Sequence, residues 1–279
     1  MPNPTLTQER SLYNQLSRKQ AKREAAAETR ILYAIHRQIS PVLDILRERG
    51  YTAAINAVSS ISNYPIEGVL RGLYRDFGTD SANDTYAYIQ RFWGDEINGQ
   101  KAFGFNAIWS AIMNAFFQIS GARNVTRITD SNRERLRREL IQGQNDGIDN
   151  YTLAERLQGP QIWRARAKLI ARTETGIASS YGAETGAKQS GILMNKKWLS
   201  ARDKRTRRIP PDQTDHYVMN NIQVTMNDFF MVPSESGFNM MLRPHAEGAP
   251  ANQVCNCRCR VIYIPARDAR GRVIKTNSR

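Results

Sequence analysis

The sequence predicts an α+β protein that is mostly α: a helical N-terminal half, then a long helix, then a small β-containing C-terminal end. Three observations carry this reading. Apolar residues recur at helical spacing through residues 1–120, residues 161–188 are rich in Ala and Arg without a proline, and beyond Gly191 short β-prone runs alternate with clusters of Pro, Gly, Asn and Ser.

Taken in order, Ile31, Ala34, Ile35 and Ile39 mark one helix face within residues 7–50. Pro41 is expected to break that helix before Val42, Leu46 and Arg49, and Gly50 to close it. Residues 51–74 form another helical stretch, divided at Pro65. Phe105, Trp109, Ile112, Phe116 and Ile119 make an apolar stripe at i, i+4, i+7, i+11 and i+14, read as core in preference to a partner groove. Capping boxes are expected at Ser131–Glu134, opening a charged helix that ends near Gly143 or Gly147, and at Thr152–Glu155, opening a short helix stopped by Gly159. Residues 161–188 read as one helix with Gly176, Gly182 and Gly186 as weak points. The β-prone runs are Trp198 and residues 222–225, 229–232 and 260–264. Strand alternation would send Cys257, Cys259, Val261 and Tyr263 to one face, and Arg258, Arg260, Ile262 and Ile264 to the other. Three regions follow: a helical front at 1–120, a domain at 121–265, and a basic flexible tail at 266–279 in which Arg267, Arg270, Arg272, Lys275 and Arg279 show no core-forming pattern.

At 279 residues, with 41 % hydrophobic and 24 % charged residues, the chain has the balance of a soluble globular protein that folds without staples. Its formal charge of +14 favours a polyanionic partner, nucleic acid first and an acidic protein surface second. The polar N-terminus lacks an apolar signal core, and the most apolar run, residues 107–119, falls short of the roughly 18 residues a span requires. No membrane partner is expected. All three cysteines fall within residues 255–259, which is no disulfide framework and fits a reducing compartment.

Three constellations could carry chemistry. In Arg172-Thr173-Glu174 the Arg and Glu, two apart on a helix, do not share a face. They read as buried, hydrogen-bonded links between the long helix and the β-prone end, the alternative being a catalytic carboxylate beside a phosphate-holding arginine. No Gly-rich phosphate loop or Ser/His/Asp set accompanies them. Lys196, Lys197, Arg202, Lys204, Arg205, Arg207 and Arg208, opposed only by Asp203 and close to Trp198, could grip a phosphate backbone without reading bases, or form a solvated loop or one that docks on an acidic protein surface. Cys255, Cys257 and Cys259 place three thiols at i, i+2 and i+4, and His216 or His245 could complete a tetrahedral zinc site. Against zinc stands the absence of Cys-x-x-Cys knuckles, and buried cysteines also pack well as small hydrophobes.

Several of these motifs occur in a familiar order: Ile170-Ala171-Arg172-Thr173-Glu174-Thr175 on the long helix, Trp198 after a Lys-Lys pair, Asp203 with Arg205-Thr206-Arg207, then His216, and Cys257-Arg258-Cys259 entering the last strand. Over roughly residues 125–265 the chain resembles the phage Mu F-like, or head-morphogenesis, family of tailed-phage minor head proteins. Members often carry a glycine a few residues beyond the histidine; Asn221 stands there, and asparagine also adopts left-handed backbone.

The resemblance implies a minor capsid protein recruited near the portal vertex and retained inside the head. Its implied partners are the portal protein, the major capsid or scaffold protein, and double-stranded DNA bound without sequence preference. It implies assembly in the host cytoplasm and no family-wide reaction. The helical front at 1–120, which has the larger apolar faces, is the expected portal-contact region. The competing classes are a nuclease or nucleotide-dependent transferase using Glu174, Asp203, Asp212 and His216, and a cellular nucleic-acid-binding module with a zinc-stabilised end.

Overall fold

The computed structural model describes residues 4–97 and 105–276, so Arg279 of the basic tail lies outside the described residues. Helix α1 spans Leu6–Ala57, α2 Tyr64–Ile97, α3 Phe105–Phe116, α4 Ala122–Asn145, α5 Asn150–Gln158 and α6 Pro160–Lys188. Strands β1 (Met194–Leu199), β2 (Gln223–Thr225), β3 (Phe230–Ser234) and β4 (Gly237–Met241) follow, then the short helix α7 (Ala251–Val254) and β5 (Arg260–Pro265). The mostly-α, α+β expectation holds. Among the described residues no helix is long and apolar enough to cross a membrane.

Several boundaries differ from the sequence expectation. Helix α1 runs through Pro41, because Ile35, Ile39, Val42, Leu43 and Leu46 are buried on both sides of it and packing outweighs one lost backbone bond. The break comes at Gly50, where φ is 78° and ψ −177°. Pro65 sits in the first turn of α2, where a missing N–H costs nothing. Neither expected capping box caps. Ser131 and Glu134 lie inside α4, and Asn132 is fully buried with its amide donating to Gln38 Oε1 at 2.9 Å. Helix α5 is capped three residues before Thr152, by Asp149, whose carboxylate accepts from Thr152 N at 2.9 Å. A π-helical turn at Phe117–Gly121 shifts the phase of the apolar stripe, so Trp109 is fully buried while Ile119 is 74 % exposed.

The chain forms two compact units, each discontinuous in sequence, and residues 1–120 divide between them. One comprises Glu24–Leu73 and Asn114–Ala171. Its interior includes Leu136, Leu140, Leu153, Leu157 and Trp163, and a buried amide network in which Gln38 donates to Thr129 Oγ1 at 3.0 Å and to Ser62 O at 2.8 Å.

The other unit comprises Met1–Arg23, Tyr74–Met113 and Arg172–Arg279, and holds every strand found among the described residues. β1 is the centre of an antiparallel sheet of order β2-β1-β5, with Trp198 opposite Val261; β3 and β4 form a separate hairpin. β4 lies outside the β-prone runs expected from the sequence, because Gly237, Asn239 and two methionines carry little strand propensity. The pleat splits β1 into two faces. Leu199 packs with Ile262, Ile264 and Tyr13 of α1, whereas Met194 and Trp198 join apolar clusters on the opposite side. Residues 266–276 are not a free tail. Leu193 N donates to Ile274 O at 2.8 Å and Ala266 N to Leu193 O at 2.8 Å, around a turn in which Asp268 accepts from Arg270 N and Arg272 N, both at 2.9 Å, and Gly271 has φ 75°. The arginine-rich composition conceals that turn chemistry.

Candidate metal centre and basic loop

The motifs of the C-terminal half converge on residues 253–259. A turn after α7 carries Asn256 at φ 59°, leading through Cys257 and Cys259 into β5. That turn is held from α6: Thr173 Oγ1 accepts from Asn256 N at 3.1 Å, and Arg172 Nη1 donates to Asn256 Oδ1 at 2.6 Å. Glu174, on another side of the helix, accepts from Tyr74 OH at 2.8 Å, and Thr175 accepts from Gln20 at 2.7 Å. Arg207 reaches over the turn to the carbonyl oxygens of Gln253 (3.4 Å) and Cys255. Arg258 forms a two-pronged pair with Asp203, 2.7 Å for Nη2 to Oδ1. Burial pushes the Asp203 carboxyl up, but Arg258 and the Arg205 N–H outweigh it and hold the group below its ordinary value.

At the centre of this frame lie His216, Cys257 and Cys259, all buried, with ligand atoms within 4.8 Å of one another. His216 Nδ1 stands 3.5 Å from each sulfur. Its backbone N–H donates to Arg207 O at 3.1 Å, and its carbonyl accepts from Ser200 Oγ. Its Nε2 is 2.7 Å from Gln253 Oε1; the Gln253 amide nitrogen donates to Asn239 at 2.7 Å, which leaves its oxygen to accept an Nε2–H. Nδ1 is then a bare lone pair aimed at the two thiols. Trp198 meets the imidazole edge-on at 5.4 Å, and Met219, Phe230 and Met241 complete an apolar wall. Burial raises both thiols. A hydrogen bond from Cys259 and the His245 and His216 rings bring Cys257 well below its ordinary value, while Cys259 is held well above.

The expected one-sided row of three thiols is corrected in one respect: Cys255 terminates α7 and stands apart from the group, because Asn256 turns the chain before the strand begins. Gln253 and Asn256 carry no signal in the sequence. Their contribution arises only when the turn folds over the histidine.

Of the seven cations grouped as a DNA-contacting set, three are structural. The pleat of β1 sends Lys196 and Lys197 to opposite faces: Lys196 is fully buried and donates to Leu242 O at 2.6 Å, and Lys197 pairs with Glu9 at 2.8 Å. Arg207 serves the turn described above. Arg202, Lys204, Arg205 and Arg208 remain exposed. Arg208 and Arg202 lie over the ring of Tyr217, 3.9 and 4.6 Å from its centroid, an ordering aromatic next to the histidine.

With this geometry in view, residues 134–262 match the family described as Phage Mu protein F like protein. The chain carries a phage Mu F-like region. The chain is also 33 % identical over 102 residues to NAD(+)--arginine ADP-ribosyltransferase EFV of Enterococcus faecalis, a stretch covering 36 % of this chain and 19 % of that relative. It therefore spans about a fifth of that relative's length. No solved structure matches.

Proposed function

We propose that this protein is a minor head protein of a tailed phage, acting near the portal vertex inside the head and lying against packaged double-stranded DNA. The observation that carries the reading is the Mu F-like match over residues 134–262. The exposed cluster of Arg202, Lys204, Arg205 and Arg208 supports the DNA contact, because cations on an ordered loop neutralise phosphates without reading sequence. Portal protein and major capsid or scaffold protein are the protein partners. The helical front is the part assigned to the portal. Residues 1–23 and 74–113 share a compact unit with the strands, so that role calls for surface substitutions and not truncation.

The transferase chemistry in the relative's name gains no support from the residues it would need. Glu174 is 4 % exposed and bonded to Tyr74, Asp203 is paired with Arg258, Asp212 accepts from Arg208 N, and His216 faces the cysteines. Cryo-electron microscopy of virions of the encoding phage, reconstructed without imposed symmetry, tests the proposal. A few copies at the portal vertex, on the DNA side, are expected. Virions lacking the chain, or carrying it evenly over the shell, would overturn it.

A further inference from the structure

We propose that His216 Nδ1, Cys257 Sγ and Cys259 Sγ bind a structural zinc ion that pins the 253–259 turn to the His216 loop, with His245, which like Cys255 stands outside the group of ligand atoms within 4.8 Å of one another, drawn in as the fourth ligand when the ion binds.

Geometry comes first. In a tetrahedral site with Zn–S near 2.3 Å and Zn–N near 2.05 Å, a sulfur and a nitrogen ligand stand about 3.6 Å apart. Both sulfurs here lie 3.5 Å from Nδ1. The tautomer agrees as well. A zinc-bound imidazole typically donates its other N–H to an acceptor that fixes the ring, and Gln253, itself oriented by Asn239, fills that role at Nε2. Cys259 N points at Cys257 Sγ at 3.4 Å, a bond that favours a thiolate.

Electrostatics also fits. The pocket is walled by Trp198, Phe230, Met219 and Met241, where a lone charge would be costly. A dication on two thiolates and two neutral imidazoles sums to zero, so the filled site leaves no net charge in that wall. Sulfur and imidazole ligands in a tetrahedron select zinc over the hard oxygen-loving cations.

His245 is a second, independent sign. It is fully buried at left-handed backbone (φ 62°), both ring nitrogens lack a hydrogen-bond partner, and the ring acts electrostatically on Cys257. Buried imidazoles without a partner are rare in folded proteins. The ring packs over Gly176, where a Cβ would come within 2.6 Å of it, so the glycine in α6 makes room for the histidine.

The test uses the full chain, made without chelator or affinity tag and kept reduced. Elemental analysis is expected to give one zinc per chain, and X-ray absorption two sulfur neighbours near ~2.3 Å and two nitrogen neighbours near ~2.0 Å. Cobalt(II) exchanged into the site should show a thiolate-to-metal charge-transfer band, lost in Cys257→Ser and Cys259→Ser and kept in Cys255→Ser. Gln253→Ala should weaken zinc about 10- to 100-fold while leaving the ligands in place, which separates metal binding from packing if the cysteine variants fail to fold. Full chain that is zinc-free and gives no charge-transfer band with cobalt(II) would overturn the site. Unchanged affinity in His245→Ala would overturn its place as the fourth ligand.

Discussion

Gly182 of α6 approaches Gly78 of α2 so closely that a Cβ on Gly182 would stand 2.0 Å from the Gly78 carbonyl oxygen. One turn on, a Cβ on Gly186 would stand 2.2 Å from the Ala82 carbonyl oxygen. The two glycines that look like weak points in a helix are therefore points of close approach, backbone against backbone. A Gly-to-Ala change in a solvated helix generally gains up to about 1 kcal/mol. Here Gly182→Ala and Gly186→Ala should each cost about 1–3 kcal/mol, because the obstruction is backbone that cannot turn aside. Gly68→Ala, with nothing within 4 Å, is the control expected to be neutral or stabilising. Urea unfolding of the three variants distinguishes the signs; a gain at Gly182 would mean that the helices separate at little cost.

Arg243 and Glu184 form an ion pair at 2.7 Å, with side chains only 1 % and 5 % exposed. Burial pushes the Glu184 carboxyl up, but Arg243 and Lys188 outweigh it and hold the group below its ordinary 4.5. A carboxylate depressed in the folded state contributes stability above its unfolded value and loses it as pH falls toward the folded one. Arg243→Met strands Glu184 with the half-exposed Lys188 and should cost about 3–5 kcal/mol at neutral pH. Adding Glu184→Gln should restore part of the loss. Denaturant unfolding of the single and double variants at neutral pH, and again below pH 4.5, checks both the cost and its decline with acid.

Lys196 gives a pH dependence of the same sign in an alkaline window. Its amine is buried on the inner face of β1, and desolvation lowers it from 10.5 to about 8 despite Glu184 nearby. Between those values the unfolded chain holds a proton that the folded chain releases, so stability from this group rises as pH increases from about 8 towards 10.5. Relative to Lys196→Met, the wild-type chain should gain about 2–3 kcal/mol between neutral pH and pH 10. A stability difference that stays flat over this range would mean that the folded-state amine titrates at its ordinary value.

What the sequence makes legible here depends on whether a pattern is local. The long helix at 160–188 is readable because its composition and stops lie within it, and Asn221 indeed takes φ 71°. The cysteine–histidine grouping is readable in part, since the strand period brings Cys257 and Cys259 together and the family order supplies His216. The rest is set by tertiary contacts. A capping box at Ser131 is overruled by a π turn that carries the chain from α3 into α4, and the Lys196-Lys197 pair is split by a pleat whose two faces are both covered. Arg172, Thr173 and Asp203 are recognisable as a motif. Their common purpose, bracing one turn, requires Asn256 and Arg258 to be in place.

The division of the basic residues yields the last prediction. Each phosphate neutralised by an exposed cation releases counterions, so log affinity for duplex DNA falls with log salt by about 0.9 per contact. Only Arg202, Lys204, Arg205 and Arg208 are free to make such contacts within this loop, and Tyr217 holds two of them in place. Replacing all four with Ala should flatten the slope by up to about 3–4 units without shifting the unfolding midpoint. Tyr217→Ala should weaken binding with a smaller change in slope, since it disorders Arg202 and Arg208 without removing their charge. Arg207→Ala should do the reverse, leaving the slope intact and lowering stability, because its guanidinium is spent on the carbonyls of Gln253 and Cys255. Fluorescence anisotropy with a duplex of arbitrary sequence, run at several salt concentrations beside thermal unfolding, separates the two classes. If the four-fold variant binds with an unaltered slope, the DNA-facing charge lies elsewhere on the chain; if Arg207→Ala flattens it, the carbonyl contacts do not hold that side chain away from solvent.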